Sequence, residues 1–308
     1  MIPSSDKAQD SLAFVIQNQR PNKRIVTDTS YFKELNKSNL PWHVKHIETG
    51  IDFLLVLPGS YMRGAVDGDE IARDNEIPSH KVIISHPFYM SQFEVTNKQF
   101  KRLFSNYTSG FYYRDSVISL DNPHFPVSSV SWEEAKTYSE NFGFRLPTEA
   151  EWEYVAKSGT KNHRFTWGNE MKPRKVAANI SNPSAKEKYK WDWEVFDWED
   201  GYLLYAPVGS FPANNWGFYD MTGNAWEWCL DAYLENIYND FKGATKDPVF
   251  IDGDSKVLRG GGWGNAPRGS RLSYRWGFNK ANKHNGNGFR VVLPVSSDFQ
   301  FKKTLTNN

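Results

Sequence analysis

A chain of 308 residues with 39% hydrophobic and 16% aromatic side chains can bury a sizeable core, so its composition excludes an intrinsically disordered protein. Lys plus Arg (37) nearly balances Asp plus Glu (36), which argues against a nucleic-acid or anionic-membrane partner. The single cysteine, Cys229, excludes an intrachain disulfide and a paired-thiol metal site. We expect Cys229 to be a small buried side chain.

The beginning of the chain is polar and only weakly periodic. Residues 1–48 predict an N-terminal arm lying on a domain that spans residues 49–300, with a tail at 301–308. No run of about 18 apolar residues and no secretion signal is present, so we expect a soluble chain whose compartment the sequence does not indicate. In the arm, His43, His46 and Glu48 resemble a metal-ligand triplet. Because no helical pattern brings them onto one face, we expect them to be structural.

Two short apolar runs predict the first strands of the domain. Phe53–Gly64, FLLVLPGSYMRG, is typical of a buried strand, a break at Pro58 and Gly59, and a second strand, which together predict a hairpin. An acidic loop at 67–76 follows, which we expect to be mobile. The next stretch, HKVIISHPFYMSQFEVT, predicts one or two further strands.

Three helices are predicted from capping boxes, in which Ser or Thr is followed three residues later by Glu or Gln. These pairs are Thr96 with Gln99, Ser131 with Glu134, and Thr148 with Glu151. The third helix carries Glu149, Glu151 and Glu153 near its start, where the helix dipole favours negative charge. We therefore expect these carboxylates to be structural rather than catalytic. Beyond Gly159 the pattern predicts mostly irregular, Trp-rich structure.

The stretch WGFYDMTGNAWEWCLD, residues 216–231, spaces oxygen donors between aromatic residues. Asp220 and Glu227 can offer carboxylates, and Gly223 and Ala225 can offer backbone carbonyls. Such a set suits Ca²⁺, which accepts many oxygen ligands in loose geometry. The same spacing also fits a tight turn with a solvated Asp and a Glu on a strand, so the spacing alone leaves both interpretations open.

Six motifs occur in a fixed order along the chain: FLLVLPGSYMRG; FYMSQFEVTNKQF; PVSSVSWEEAKTYSENFGFRLPTEAEWEYVAKSG; the WGN at Trp167; APVGSFPANNWGFYDMTGNAWEW; and RGGGW followed by NGNGFRVV. Together they resemble the formylglycine-generating enzyme, or sulfatase-modifying factor, family. The resemblance implies an α+β fold that is a variant of the C-type-lectin fold, rich in Trp and poor in regular secondary structure. It also implies bound calcium.

The resemblance implies two calcium sites. One is formed by Asp220, Gly223, Ala225 and Glu227, where Asp220 stands in place of the family's Asn. The other is formed by Asn179, Ile180, Asp200 and Tyr202. Oxygens from each set leave room for water or other donors in a site of six to eight ligands.

The chain departs from the family at the copper site. Active members bind copper through two cysteines after an R-G-G-S-aromatic motif, whereas the matching segment here, RGGGWGNAPRGSRLSYRW, contains none. Asn265 falls near the first cysteine position, and Ser270 or Arg271 near the second. These side chains do not replace thiolates as ligands for Cu(I), so we do not expect formylglycine generation by the copper mechanism.

The same C-terminal segment is rich in residues that are common in recognition surfaces. The candidate ligand-binding residues are Asn265, Arg268, Arg271, Tyr274, Trp276 and Phe278. They could equally line a groove that no longer has a function. We favour a calcium-stabilised domain that does not generate formylglycine and that binds a protein, peptide or glycan through this segment. Two alternatives stay open: an oxidoreductase with another metal, similar to siderophore-maturation or other non-haem iron enzymes, and a divergent sulfatase-activating oxidase.

Overall fold

Four β-sheets and five α-helices form the regular structure of the computed structural model, which describes residues 13–113, 116–159 and 162–295. The helices are α1 (Thr29–Lys37), α2 (Asn97–Phe100), α3 (Trp132–Asn141), α4 (Glu149–Ala156) and α5 (Pro183–Tyr189). The strands are β1 (Phe14–Asn18), β2 (His43–His46), β3 (Asp52–Val56), β4 (Gly59–Arg63), β5 (His80–Ile84), β6 (Phe88–Ser91), β7 (Gly110–Tyr113), β8 (Ser116–Ser119), β9 (Trp226–Ala232), β10 (Thr245–Lys246), β11 (Ser255–Arg259), β12 (Trp276–Asn279), β13 (Asn287–Gly288) and β14 (Val292–Pro294).

The segment predicted as an N-terminal arm contributes two strands to the largest sheet. This sheet is antiparallel and has the order β1-β2-β3-β6-β14. Val44 of β2 lies opposite Phe53 of β3, and both side chains are buried in the core. Residues 13–48 therefore belong to the same packed unit as the strands that follow. Residues 1–12 and the tail at 301–308 lie outside the described residues.

The predicted hairpin at residues 53–64 is wrong in its pairing, although both strands are present. Both edges of β3 are occupied, by β2 and β6. The next strand, β4, instead pairs with β5 in a separate three-stranded sheet of order β10-β5-β4. Pro58 lies between the two strands and has no N–H to donate to a ladder, so the chain leaves one sheet there and enters another.

The three predicted capping boxes are confirmed at the starts of α2, α3 and α4. The carboxylates of α4 are structural, as expected, but buried arginines rather than the helix dipole account for them. Glu149 accepts from Arg63 and Arg275 at 2.5 Å each. Burial alone would raise the pKa of Glu149, but the nearby guanidinium groups outweigh it and lower the pKa to about 2.

The second half of the described chain is mostly irregular, as the sequence indicates. Its main regular element is β9, which is buried at every position and lies between β11 and β13 in a sheet of order β12-β11-β9-β13. Two small aromatic clusters flank the main core, one containing Ile180 and the other containing Ala225 and Trp263. None of the helices in the described residues is long and apolar enough to cross a bilayer.

Candidate functional site: metal-ligand segments and an aromatic groove

The two predicted calcium-binding segments lie against each other. Gly223 has φ of 83°, and a Cβ on it would collide with the backbone carbonyl of Asn179. The next residue, Asn224, donates its N–H to that same carbonyl at 2.8 Å. Only glycine allows this close approach, which places the Asp220–Glu227 segment beside the Asn179–Tyr202 segment.

The Asn179–Tyr202 set has the features of a cation site. Asn179 donates to the Leu204 carbonyl at 2.8 Å, whereas its Oδ1 is buried without a hydrogen-bond partner in the described structure. Asp200 accepts the N–H groups of Ile180 and Tyr202, both at 2.8 Å. None of the ion pairs formed by described residues includes Asp200, and burial raises its pKa to about 6. A buried carboxylate without a cationic partner and an amide oxygen without a donor both suit Ca²⁺, while Asn182 Nδ2 donates to Asp200 at 2.9 Å and to the predicted Tyr202 carbonyl at 2.7 Å.

The Asp220 side chain lies in a second buried region of negative charge. Its Oδ2 accepts from Gly209 N–H at 2.7 Å, and burial raises its pKa to about 6. Glu94 lies nearby, and burial together with the charges of Asp220 and Glu227 raises its pKa well above the ordinary range. Neither Asp220 nor Glu94 takes part in an ion pair among the described residues. A cation would therefore relieve an excess of buried negative charge here.

The Glu227 carboxylate, unlike that of Asp220, has an arginine partner. Arg290 holds its carboxylate through two hydrogen bonds of 2.6 and 2.7 Å, and Trp152 donates a third at 2.7 Å. Both Glu227 and Arg290 are fully buried. In the first predicted set, Asp220 is thus a buried carboxylate without an ion-pair partner among the described residues, whereas the Glu227 carboxylate already pairs with Arg290.

Sequence reasoning missed the two residues that connect the predicted ligand sets. Asn224 accepts from Ala206 N–H at 3.1 Å and donates to Glu94 at 2.7 Å. Glu94 also accepts from Ala225 N–H at 2.9 Å, so one buried carboxylate fixes the turn that carries the predicted carbonyl ligands. The sequence feature that could have predicted the role of Asn224 is its position within the GNAWEW motif.

Comparison with known proteins identifies the family. Residues 43–295 match the family described as "Sulfatase-modifying factor enzyme 1-like domain". The chain belongs to this family. It is 31% identical over 255 residues to the formylglycine-generating enzyme of Thermomonospora curvata, covering 68% of this chain and 81% of that protein. This confirms the resemblance expected from the six motifs.

Two further relatives bear on the fold and the family. The "Inactive C-alpha-formylglycine-generating enzyme 2" of Bos taurus is 28% identical over 288 residues, which is 78% of this chain and 87% of that protein. The solved structure of PvdO from Pseudomonas aeruginosa superimposes with a TM-score of 0.66 at 24% identity, covering 80% of this chain and 95% of that one. The α+β fold of the family is thus confirmed. Several other curated relatives are longer, and the chain spans two thirds or less of their length.

In this member of the sulfatase-modifying factor family, the segment without cysteines forms a closed loop. Asn265 Oδ1 accepts from Gly262 N–H at 2.9 Å, and the Asn265 carbonyl accepts from Ser181 Oγ at 2.5 Å. Ser270 is fully buried. Cys229 lies elsewhere, buried on β9 as expected, where burial raises the pKa of its thiol. Asn265 therefore stabilises this loop, whereas the Ser270 hydroxyl is buried without a hydrogen-bond partner among the described residues.

The structure divides the six candidate ligand-binding residues into buried and accessible ones. Arg271 is buried and paired with Glu76 at 2.6 Å, and Tyr274 is buried beneath Arg73. The acidic loop at 67–76, predicted to be mobile, supplies these partners and also the Ile71 carbonyl that accepts from Arg268 at 2.9 Å. The accessible members are Asn265, Arg268, Trp276 and Phe278.

A groove of about 490 Å³ opens beside this segment, at Asn265. It is lined by aromatic rings, small backbone positions and a few polar groups: Phe111, Tyr113, Tyr189, Trp191, Trp193, Trp226, Gly262, Trp263, Gly264, Asn265, Ala266, His284, Asn285 and Gly286. Sequence reasoning missed most of this lining. The available signal was the YKWDW run at 189–193, in which aromatic residues alternate with charged ones.

The described residues contain no cluster of three or more His, Cys, Asp or Glu side chains suited to a metal ion. His43 instead bonds Asp52 at 2.8 Å, and His46 bonds Thr49 at 2.9 Å. Both histidines are structural, as the sequence indicates.

Proposed function

We propose that this chain is a calcium-stabilised sulfatase-modifying-factor domain that does not generate formylglycine and that binds a protein, peptide or glycan through the surface around its C-terminal segment. The observation that carries the proposal is the loop at Asn265 and Ser270, near the family's copper ligands. Copper–thiolate chemistry needs two sulfur donors there. An amide that closes the loop and a buried hydroxyl cannot supply them.

Calcium would be held by Asn179, Asp200 and the adjoining carbonyls, with Asp220 as the carboxylate of the neighbouring site. When bound, the ion supplies positive charge to buried oxygens and does no chemistry of its own. Its position would also support the binding surface. Asn182 lies in the same segment and caps α5 by accepting from Ala185 N–H at 2.9 Å, and α5 leads directly to Trp191 in the groove.

The test is elemental analysis of protein purified without chelator, followed by incubation with a cysteine-containing sulfatase peptide and oxygen. We expect calcium at one or two equivalents, no stoichiometric copper or iron, and no aldehyde product. Bound copper, or conversion of the peptide cysteine to an aldehyde, would contradict the proposal. Peptide and glycan arrays probed with wild type and with Trp276→Ala test the binding surface, and the variant should lose signal if Trp276 contributes to it.

A further inference from the structure

The sequence contains two consecutive Asn-Gly pairs, Asn285–Gly286 and Asn287–Gly288. Such a pair can react with itself, because the backbone nitrogen of the glycine can attack the amide carbon of the asparagine side chain. Glycine has no side chain to hinder that approach. The structure places the two pairs in different surroundings, and the first one lines the aromatic groove, which is open to water.

The first pair lies in a tight turn that holds a base at the reactive nitrogen. Gly286 donates its N–H to Nδ1 of His284 at 3.1 Å, so the proton of this neutral imidazole lies on Nε2. Partial burial of the ring lowers the pKa of His284, so Nδ1 carries no proton at pH 7. The N–H of Asn287 closes the turn on the His284 carbonyl at 3.0 Å. His284 can therefore remove the proton that makes the Gly286 nitrogen a poor nucleophile.

Further hydrogen bonds fix the backbone of this turn. The Tyr205 hydroxyl donates to the Asn285 carbonyl at 2.8 Å, and Trp226 N–H donates to the Gly286 carbonyl at 2.8 Å. In contrast, the amide side chain of Asn285 takes part in none of the hydrogen bonds between described residues. This amide can therefore rotate toward the Gly286 nitrogen while the base stays in place.

The second Asn-Gly pair is held in a way that opposes the same reaction. Asn287 and Gly288 form β13, which pairs with β9, and Asn287 is only 2% exposed. A Cβ on Gly288 would lie 2.6 Å from the Val127 carbonyl, so another part of the backbone packs directly against it. This buried strand restricts both rotation of the amide and entry of water. The second pair is therefore an internal control for the first.

We propose that Asn285 is a self-modification site at which His284 takes the proton from Gly286 N–H and the Gly286 nitrogen then bonds to Cγ of Asn285. The Cγ–Nδ2 bond breaks, His284 returns the proton, and ammonia leaves a cyclic imide. Water then opens the imide to aspartate or isoaspartate. The reaction consumes one water molecule for each ammonia released and needs no oxidant or cofactor. It goes beyond the proposed binding function and does not depend on it.

The reaction gives the groove a charge. Among the residues that the structure describes, the lining of the groove includes no Asp, Glu, Lys or Arg. A carboxylate at position 285 is ionised at neutral pH. The modified groove would therefore repel anionic ligands and favour cationic ones, whereas the unmodified groove has no such preference.

The test is peptide mapping by mass spectrometry after prolonged incubation of the folded protein at neutral pH in heavy-oxygen water, which labels carboxylates formed during the incubation. Cleavage by trypsin after Lys283 and Arg290 gives one peptide that contains both asparagines, and fragmentation assigns the label to one of them. We expect the label at position 285 to exceed that at position 287 roughly tenfold or more. In protein unfolded with guanidinium chloride, the two positions should react at similar rates.

Two variants separate the basicity of His284 from its contribution to the turn. His284→Ala removes both the base and the acceptor for Gly286 N–H. His284→Asn keeps an oxygen that can accept this N–H, as asparagine does in Asx turns, but that oxygen is not a base at neutral pH. Both variants should be labelled at position 285 roughly tenfold or more slowly than wild type. Melting curves verify that each variant is folded.

Three results would overturn the proposal: no label at position 285, equal labelling of positions 285 and 287 in the folded protein, or a wild-type rate in His284→Asn. The last result would reduce His284 to a structural part of the turn. None of them bears on the proposed binding function, which the metal analysis and the peptide assay test separately.

Discussion

Asp200→Asn should change the stability of the protein in a calcium-dependent way. Without calcium, ionised Asp200 is a buried charge without a cationic partner. Its pKa of about 6, against an ordinary value of 3.8, corresponds to about 3 kcal/mol of stability lost at neutral pH. Because the folded pKa is the higher one, this stability is present below pH 3.8 and is lost as the pH rises through about 6.

Asparagine removes the buried charge, but its NH₂ group would face one of the N–H donors that the carboxylate now accepts. We therefore expect Asp200→Asn in chelator to melt at or somewhat above the wild-type temperature. Calcium at a hundred times its dissociation constant should stabilise wild type by about 2.7 kcal/mol, or roughly 5 °C for a chain of this size, and the variant should lose most of that gain.

The measurement is thermal unfolding of both proteins at pH 7 with millimolar CaCl₂ and with EGTA. Asp197→Asn is the control, because its side chain is 93% exposed and its loss should not alter the calcium response. If wild type melts at the same temperature in calcium and in EGTA, the assignment of Asp200 to a cation site is refuted. An equal calcium gain in Asp200→Asn would show that the ion binds elsewhere.

Two further predictions follow from the same structure. Glu227→Ala leaves the Arg290 charge buried and unpaired, so chemical denaturation should show that the free energy of unfolding falls by about 3–5 kcal/mol in calcium and in EGTA alike. If the free energy of unfolding falls only in calcium, the Glu227 carboxylate is instead a metal ligand. Burial raises the pKa of Asp231 to about 7, so the stability of the protein should decrease as the pH rises from 3.8 toward 7. Melting curves measured over this pH range should show a smaller decrease for Asp231→Asn than for wild type.

Local sequence patterns predicted the parts of the fold that depend on neighbouring residues. A capping box needs only the hydroxyl of Thr96 and the side chain of Gln99 three positions later, and both bonds form as predicted. The segment at Gly223, for which a tight turn was one of the two interpretations, is a bend in which the glycine has a φ of 83°. The ordered motifs predicted the family and hence the general architecture.

Strand pairing and the groove depend on contacts between distant residues, which local patterns do not record. Phe53 and Tyr61 lie on consecutive strands, yet each strand has a partner from another part of the chain. Arg271 was predicted to bind a ligand because arginine is common in recognition surfaces, but Glu76, nearly two hundred residues earlier, pairs with it in the interior. The Glu227 carboxylate was predicted as a metal ligand from local spacing, which does not indicate its pairing with Arg290, 63 residues later.

The position of β14 has a consequence for synthesis of the protein. All four residues of β6 are buried, and among the described residues one of its two edges pairs with Val292–Pro294. Until that last strand leaves the ribosome, β6 exposes an apolar edge with unpaired backbone groups, which is a template for association with other chains. Chains ending before residue 292 should therefore aggregate during expression, even though they contain both predicted ion sites and the whole groove.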